Sequence, residues 1–165
     1  MSARQILATI IGACALIAAS EHRTPHLVWN ATASAPIGLY RVVSRDTLHH
    51  GDLVLALPPR QLQQFASQRG YLPLGVSLVK HVAALTHDRV CGWKDAVTIN
   101  GTFVVLRLAI DRLRRPLPAW YGCRTLAASD VLLLNTGVAT SFDGRYFGPI
   151  STSAILGKLV PLWTR

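Results

Sequence analysis

The sequence predicts a mainly β domain behind one N-terminal apolar segment, and three observations predict it. Short apolar and β-branched runs recur along the chain, bounded by glycine, proline, asparagine or aspartate. Asn100-Gly101 stands between Val97-Thr98-Ile99 and Thr102-Phe103-Val104-Val105 and supplies the two positive-φ positions of a tight hairpin turn. Arg4 precedes an uncharged apolar run, Ile6 to Ala19, that sets the first residues apart from the rest.

That first run is shorter than the roughly 20 apolar residues of a comfortable spanning helix, and it matches the hydrophobic region of a secretory signal. Ala18, Ala19 and Ser20 offer small residues for cleavage. Equally, Ser2 to Gln5 and Ser20 to His22 can sit in the interfaces of an uncleaved anchor. Residues 1–20 are therefore read as a signal sequence or membrane anchor, and 21–165 as one exported domain. Leu39 to Val43 is a short strand. Gly51-Asp52 turns the chain into a strand from Leu53 to Leu57, which Pro58-Pro59 closes. Gln61 to Gln68 forms a short helix with Leu62 and Phe65 on one side. Gly70 to Gly75 is a loop, and Val76 to Leu85 is the next strand. After the Asn-Gly hairpin, Leu106 to Leu117 is ambiguous and ends in a proline-bearing loop. Val131 to Leu134 is a buried strand, Thr140 to Gly148 is irregular, and Ile155 to Leu162 is the closing strand. No internal repeat and no helix-turn-helix pattern appears.

Half of the 165 residues are hydrophobic and only 15% are charged, so a real core can be buried and a disordered chain is excluded. The formal net charge of +9 favours acidic partners, among them a phospholipid surface. The arginines are scattered apart from Arg107, Arg112, Arg114 and Arg115, which reads as a solvated face; no nucleic-acid partner is expected. Cys14 reads as filler in the apolar segment. Cys91 and Cys123 fall in the exported part, where two cysteines often pair, and their spacing leaves that disulfide open. His49-His50, beside Gly51-Asp52, reads as a solvated turn rather than a metal site.

Side chains alternate faces along a strand, so Val76, Leu78, Lys80, Val82 and Ala84 share one. A lysine in that row either reaches past a rim into water or is desolvated by its neighbours. Desolvation disfavours the ammonium and lowers its pKa, and a neutral lysine can take a proton from a hydroxyl near neutral pH. His81 points to the opposite face, away from that role. A serine needs such a base, being a poor nucleophile as the neutral alcohol. Ser34 lies just beyond the apolar segment, in a turn restrained by Pro36 and Gly38. Asp143 and Arg145 stand two apart in the irregular loop, where they form an ion pair or position the base. Taken singly, these are a rim lysine, a loop serine and a surface turn.

Their order changes that reading. Ser34-Ala35-Pro36, then Lys80-His81-Val82-Ala83-Ala84-Leu85, then the Asn100-Gly101 hairpin, then Ser141 to Gly148 resemble the type I signal peptidase family. There a serine stands in Ser-x-Pro, a lysine in Lys-x-Val-x-x-Leu, and a late loop reads Ser-x-Asp-Ser-Arg-x-x-Gly. Gly51-Asp52-Leu53-Val54 and Ile155-Leu156-Gly157-Lys158 extend the likeness over nearly the whole exported part. Pro36-Ile37-Gly38-Leu39-Tyr40, and Arg114-Arg115-Pro116-Leu117-Pro118-Ala119-Trp120 with Gly122-Cys123-Arg124, are similar to the conjugative-transfer branch, the TraF type.

The resemblance implies a mainly β, signal-peptidase and LexA-like fold and a serine endopeptidase that needs no metal and no cofactor. It implies Ser34 as nucleophile and Lys80 as base. It also implies an oxyanion held by the Ser34 backbone N–H and the Thr32 hydroxyl, unless Thr32 is only a turn residue. Asp143 takes a supporting place and Arg145 holds the loop. The implied substrate is an exported precursor, a conjugative pilin for plasmid transfer, cut or closed into a ring in the periplasm at the outer face of the bacterial cytoplasmic membrane. Two departures leave open what orients Lys80. Gly144 stands where the family often has a serine that supports the lysine, and Asn135-Thr136 stand where it has Gly-Asp-Asn. The rival reading is a non-catalytic exported component of a conjugation or secretion apparatus on the same fold. A self-cleaving repressor relative is disfavoured by the export segment and the missing helix-turn-helix.

Overall fold

The computed structural model describes residues 24–165. The signal or anchor expected over residues 1–20, with Cys14, lies outside them. Leu27–Asn30 (β1) turns back into Gly38–Val43 (β2), with Asn30 opposite Gly38. Leu53–Ala56 (β3) is followed by the helix Arg60–Gln68 (α1) and by Leu78–Ala84 (β4). Arg89–Trp93 (β5), Ala96–Ile99 (β6), Thr102–Leu106 (β7) and Gly122–Thr125 (β8) come next. Asp130–Leu134 (β9), a helical turn at Gly144–Phe147 (α2), Ile150–Ser151 (β10) and Ile155–Thr164 (β11) complete the described order.

The strands form two antiparallel sheets. The larger runs β1-β2-β11-β3-β4-β9-β10 and the smaller β7-β6-β5-β8. Their sequence patterns account for the packing. Val54, Val82, Leu133 and Ile155 alternate inward from four strands of the large sheet and bury together, and Leu62 of α1 packs against them. Ala84, Val90, Val97 and Leu132 join the two sheets. Each fully buried valine, leucine or isoleucine contributes roughly 1.5–3 kcal/mol. Gly38 is required where β2 meets β11, because a Cβ there would stand 2.1 Å from the Trp163 carbonyl oxygen.

Asn100 and Gly101 adopt φ of 51° and 80°, as the hairpin turn demands. Four strands, β1, β5, β8 and β10, are not read from the sequence. In β8 all four residues are exposed and none alternates; it is held by pairing with β5, where Cys91 faces Cys123. The two cysteines are disulfide-bonded. Val76 is exposed and precedes β4 instead of sharing its face, while Leu78, Lys80, Val82 and Ala84 are all buried. Leu106 to Leu117 is mostly loop after the end of β7.

Candidate active site

The turn between β1 and β2 is built around one side chain. Asn30 is buried, and its Nδ2 donates towards the carbonyls of Thr32, Ala35 and Pro36 at 3.0–3.1 Å. Its Oδ1 accepts from the Thr32 backbone N–H at 3.2 Å and from the Thr32 hydroxyl at 2.9 Å. Tyr40 reaches back to donate to the Pro36 carbonyl at 2.6 Å. Asparagine suits this place because one amide both donates and accepts along the local backbone. The result holds Ser34 half-buried at the tip, with the Thr32 hydroxyl 3.3 Å from its Oγ. The Ser34 backbone N–H has no protein acceptor among the described residues.

Lys80 comes from the middle of β4, opposite Val54 of β3. Only 3% of it is exposed. Its Nζ lies 3.4 Å from Ser34 Oγ and donates to Ser141 Oγ at 2.8 Å. Burial pushes the lysine pKa down to about 8; Asp143 pulls it up and Arg145 pushes it down again. Burial among apolar neighbours therefore sets the direction, and the two charges beyond act in opposite senses.

Asp143 and Arg145 are both completely buried, and they bind each other rather than Lys80. Asp143 Oδ1 accepts from Arg145 Nε at 2.8 Å, and Oδ2 accepts from Arg145 Nη2 at 3.0 Å. Oδ2 also accepts from the Asn135 backbone N–H at 3.0 Å. Arg145 Nη2 donates onward to the Asn135 carbonyl at 2.8 Å, and Nη1 to that of Ala139 at 3.1 Å. The pair thus clamps the end of β9 to the loop that carries Ser141. The hydroxyl that meets Lys80 is that of Ser141, and not one at position 144. A Cβ on Gly144 would stand 2.7 Å from Leu132 Cδ1 and 2.8 Å from the Leu133 carbonyl oxygen, so no serine fits there.

Ser34 and Lys80 open on a groove of about 900 Å³ with a mainly apolar lining that includes Val28, Leu78, Phe142 and Tyr146. Phe142 stacks on Phe65 and Tyr146 with centroids 5.9 and 6.0 Å away, so the residue after Ser141 anchors its loop against α1 and α2. The far wall is the segment after β7, through Leu108, Leu113 and Leu117. Asp111 fixes it, accepting from Tyr71 Oη at 2.6 Å and Arg115 Nε at 2.7 Å. Burial alone would raise the Asp111 carboxyl, but hydrogen bonds from Tyr71, Arg115 and Leu113 outweigh it and hold the group well below the usual carboxylate range.

The structure thus brings Ser34, Lys80 and Thr32 to one point and sets Asp143 and Arg145 behind it. Cys91 and Cys123 lie in the other sheet. Sequence reasoning singles out neither Asn30 nor the Ser141 hydroxyl; with glycine at 144 it leaves open what orients Lys80. The signals for both were present: an asparagine two before Thr32, and a serine two before Asp143.

A family model described as signal peptidase, peptidase S26, matches residues 2–163. The plasmid transfer protein TraF of Escherichia coli is 39% identical over 166 residues, covering 94% of this chain and 92% of that one. The conjugal transfer protein TraF of Agrobacterium fabrum is 36% identical over 145 residues, covering 82% and 81%. A signal peptidase I structure from Enterococcus faecalis has 17% identity and a TM-score of 0.38, covering 71% of this chain and 100% of that one.

Proposed function

Because the chain belongs to the signal peptidase family, peptidase S26, we propose that it is a membrane-associated serine endopeptidase with Ser34 as nucleophile and Lys80 as its base. One observation carries the reading: a lysine 3% exposed, pushed down to about 8, with Nζ 3.4 Å from the hydroxyl of a half-buried turn serine. Neutral Nζ takes the Ser34 proton as Oγ attacks the carbonyl of a peptide lying in the groove. The contact tightens when substrate arrives. The unpaired Ser34 N–H meets the developing oxyanion. The Thr32 hydroxyl joins it by turning away from Asn30. Losing one such donor costs roughly a hundredfold or more in rate. The leaving amine takes the proton from the Lys80 ammonium, and water or another amine then resolves the ester.

Relatives named for plasmid and conjugal transfer support an exported precursor of the transfer apparatus, a pilin, as the substrate. Resolution by the pilin's own amine gives a ring. An exposed apolar face supports work at a membrane. Leu27, Trp29, Leu162 and Trp163 are each more than half exposed, Trp29 stacks on Trp163 at 5.8 Å, and Trp29 also borders the groove. With the +9 charge and the N-terminal apolar run, this fits the periplasmic face of the cytoplasmic membrane.

The test is processing of a co-expressed pilin precursor by wild type, Ser34→Ala and Lys80→Arg, read by intact mass. Lys80→Arg keeps the charge but supplies no neutral base. Wild type shortens the precursor, and each variant is slower by roughly a hundredfold or more. A product lighter by one further water is the ring. Normal processing by both variants would leave the non-catalytic reading in its place.

A further inference from the structure

Ser34 borders a second concavity besides the groove. This hollow, of about 380 Å³, lies against the Ser34 turn and is lined on its other sides by residues that include His81, Asn135, Thr136 and Gly137. Lys80 lines the groove and His81 the hollow, because neighbours along a strand point to opposite faces. The nucleophile thus stands where two spaces meet, a large groove and a smaller hollow, both mainly apolar, the hollow carrying His81, Asn135 and Thr136 on one side and Arg165 among its other lining residues.

The hydrogen bonds around His81 fix its ring. Asn135 Nδ2 donates to the Val79 carbonyl at 3.1 Å, which turns Oδ1 towards residue 81. That oxygen accepts from the His81 backbone N–H at 3.2 Å and lies 3.0 Å from ring Nδ1. An amide oxygen only accepts, so Nδ1 carries the hydrogen. In that tautomer the lone pair stands on Nε2, and among the described residues no protein group donates to it.

Resting on the reading of Ser34 as nucleophile, we propose that this hollow is the binding site for the amine side of the reaction, with His81 Nε2 accepting a hydrogen bond from the N–H of the acyl acceptor. The acyl portion of the substrate lies in the apolar groove, and the chain beyond the scissile bond crosses Ser34 into the hollow. In acylation the Ser34 Oγ–carbon bond forms, the proton passes through Lys80 Nζ, the C–N bond breaks, and the departing nitrogen takes that proton. In the reverse sense an incoming amine forms the C–N bond, the Oγ–carbon bond breaks, and one proton from the amine returns through Lys80 to Ser34. No further reactant is needed. Size favours a peptide amine over water: a water occupies about 30 Å³, so the hollow holds an amino-acid residue.

The experiment separates the acceptor from the leaving group. A short peptide methyl ester, with the acyl sequence of the pilin cleavage site, acylates Ser34 while leaving the hollow empty. Alaninamide is then added, and the ratio of amide to acid product is read by mass at equal ester consumption. For wild type the ratio rises and saturates with alaninamide. For His81→Ala it falls roughly tenfold, the size of one good hydrogen bond, and no longer saturates. His81→Gln, which keeps a donor and an acceptor, recovers part of it. Gly137→Phe is the independent variant: Gly137 lines the hollow and a Cβ there meets nothing within 4 Å, so bulk is added at its edge with no backbone contact to displace, and it lowers the ratio too. An unchanged, saturating ratio in both His81→Ala and Gly137→Phe, with ester cleavage still dependent on Ser34, overturns this inference alone. Ester cleavage that survives Ser34→Ala overturns the nucleophile reading and this one with it.

Discussion

A lysine with a pKa of about 8 is neutral in roughly one molecule in ten at pH 7, and this sets how Lys80 can be tested. As the base, it makes kcat/KM climb about tenfold from pH 7 to a plateau above pH 9. Its stability effect has a defined sign. Between about 8 and the ordinary 10.5 the unfolded chain holds the lysine proton and the folded chain does not, so stability rises with pH across that window. At pH 7 the cost of the buried charge is complete, roughly 3 kcal/mol. Lys80→Met is therefore inactive yet more stable than wild type at pH 7, and the gap closes towards pH 10.5. Denaturant titrations at pH 7 and pH 10 measure it; a variant less stable at pH 7 sinks the desolvation account. Lys80 was legible because a cation in an apolar alternating row calls for an explanation. Asn30 and Ser141 offered only a local spacing, since each matters through atoms that only the folded turn or a distant strand brings near.

At the scale of elements, the segment from β9 through α2 decides where Ser141 stands. Asp143 caps α2, its Oδ1 accepting the Arg145 backbone N–H at 3.2 Å, and the same carboxylate neutralises a fully buried guanidinium. Asp143→Asn leaves that guanidinium unpaired, which costs about 3–5 kcal/mol. The variant melts early, and at a temperature where it is still folded it keeps more activity than Lys80→Arg. Thermal unfolding paired with low-temperature kinetics checks this. Full stability with activity lost would instead place Asp143 in the chemistry itself. The motif Ser-x-Asp-x-Arg was visible in the sequence, but the division of labour within it was not. Of the two roles expected for them, Asp143 and Arg145 take the ion pair that holds the loop, and Ser141 is left to face the lysine. The regular strands β2, β3, β4 and β9 were legible from apolar runs. β1 and β8 were not, because their residues are mostly exposed and their partners lie elsewhere in the chain.

The two sheets divide the work of the whole molecule. Ser34 and Lys80 belong to the large sheet and its turn, whereas one wall of the groove, with Leu108, Leu113 and Leu117, hangs from the small one. That wall lies inside the loop of 32 residues closed by Cys91–Cys123. Its other ties to the rest of the molecule run through Asp111 to Tyr71, through Arg69, which donates to the Pro116 carbonyl while its own carbonyl accepts from Arg115, and through the Leu108 N–H, which donates to Tyr146 Oη. β8, wholly exposed, adds no core of its own. Closing a loop of this size restrains the unfolded chain by roughly 3–4 kcal/mol, a large share of a small domain's stability. Replacing both cysteines by serine should therefore lower stability by about 2–4 kcal/mol. It should also loosen the wall more than the Ser34–Lys80 contact, because Ser34 and Lys80 sit on the β1–β2 turn and on β4, and the closed loop reaches them only indirectly, as where Trp120 Nε1 donates to the Gly144 carbonyl at 2.9 Å. The kinetic signature is a KM raised severalfold with kcat within about twofold, read on a peptide long enough to fill the groove. A fall in kcat at unchanged KM would mean that the small sheet reaches the chemistry as well as the binding.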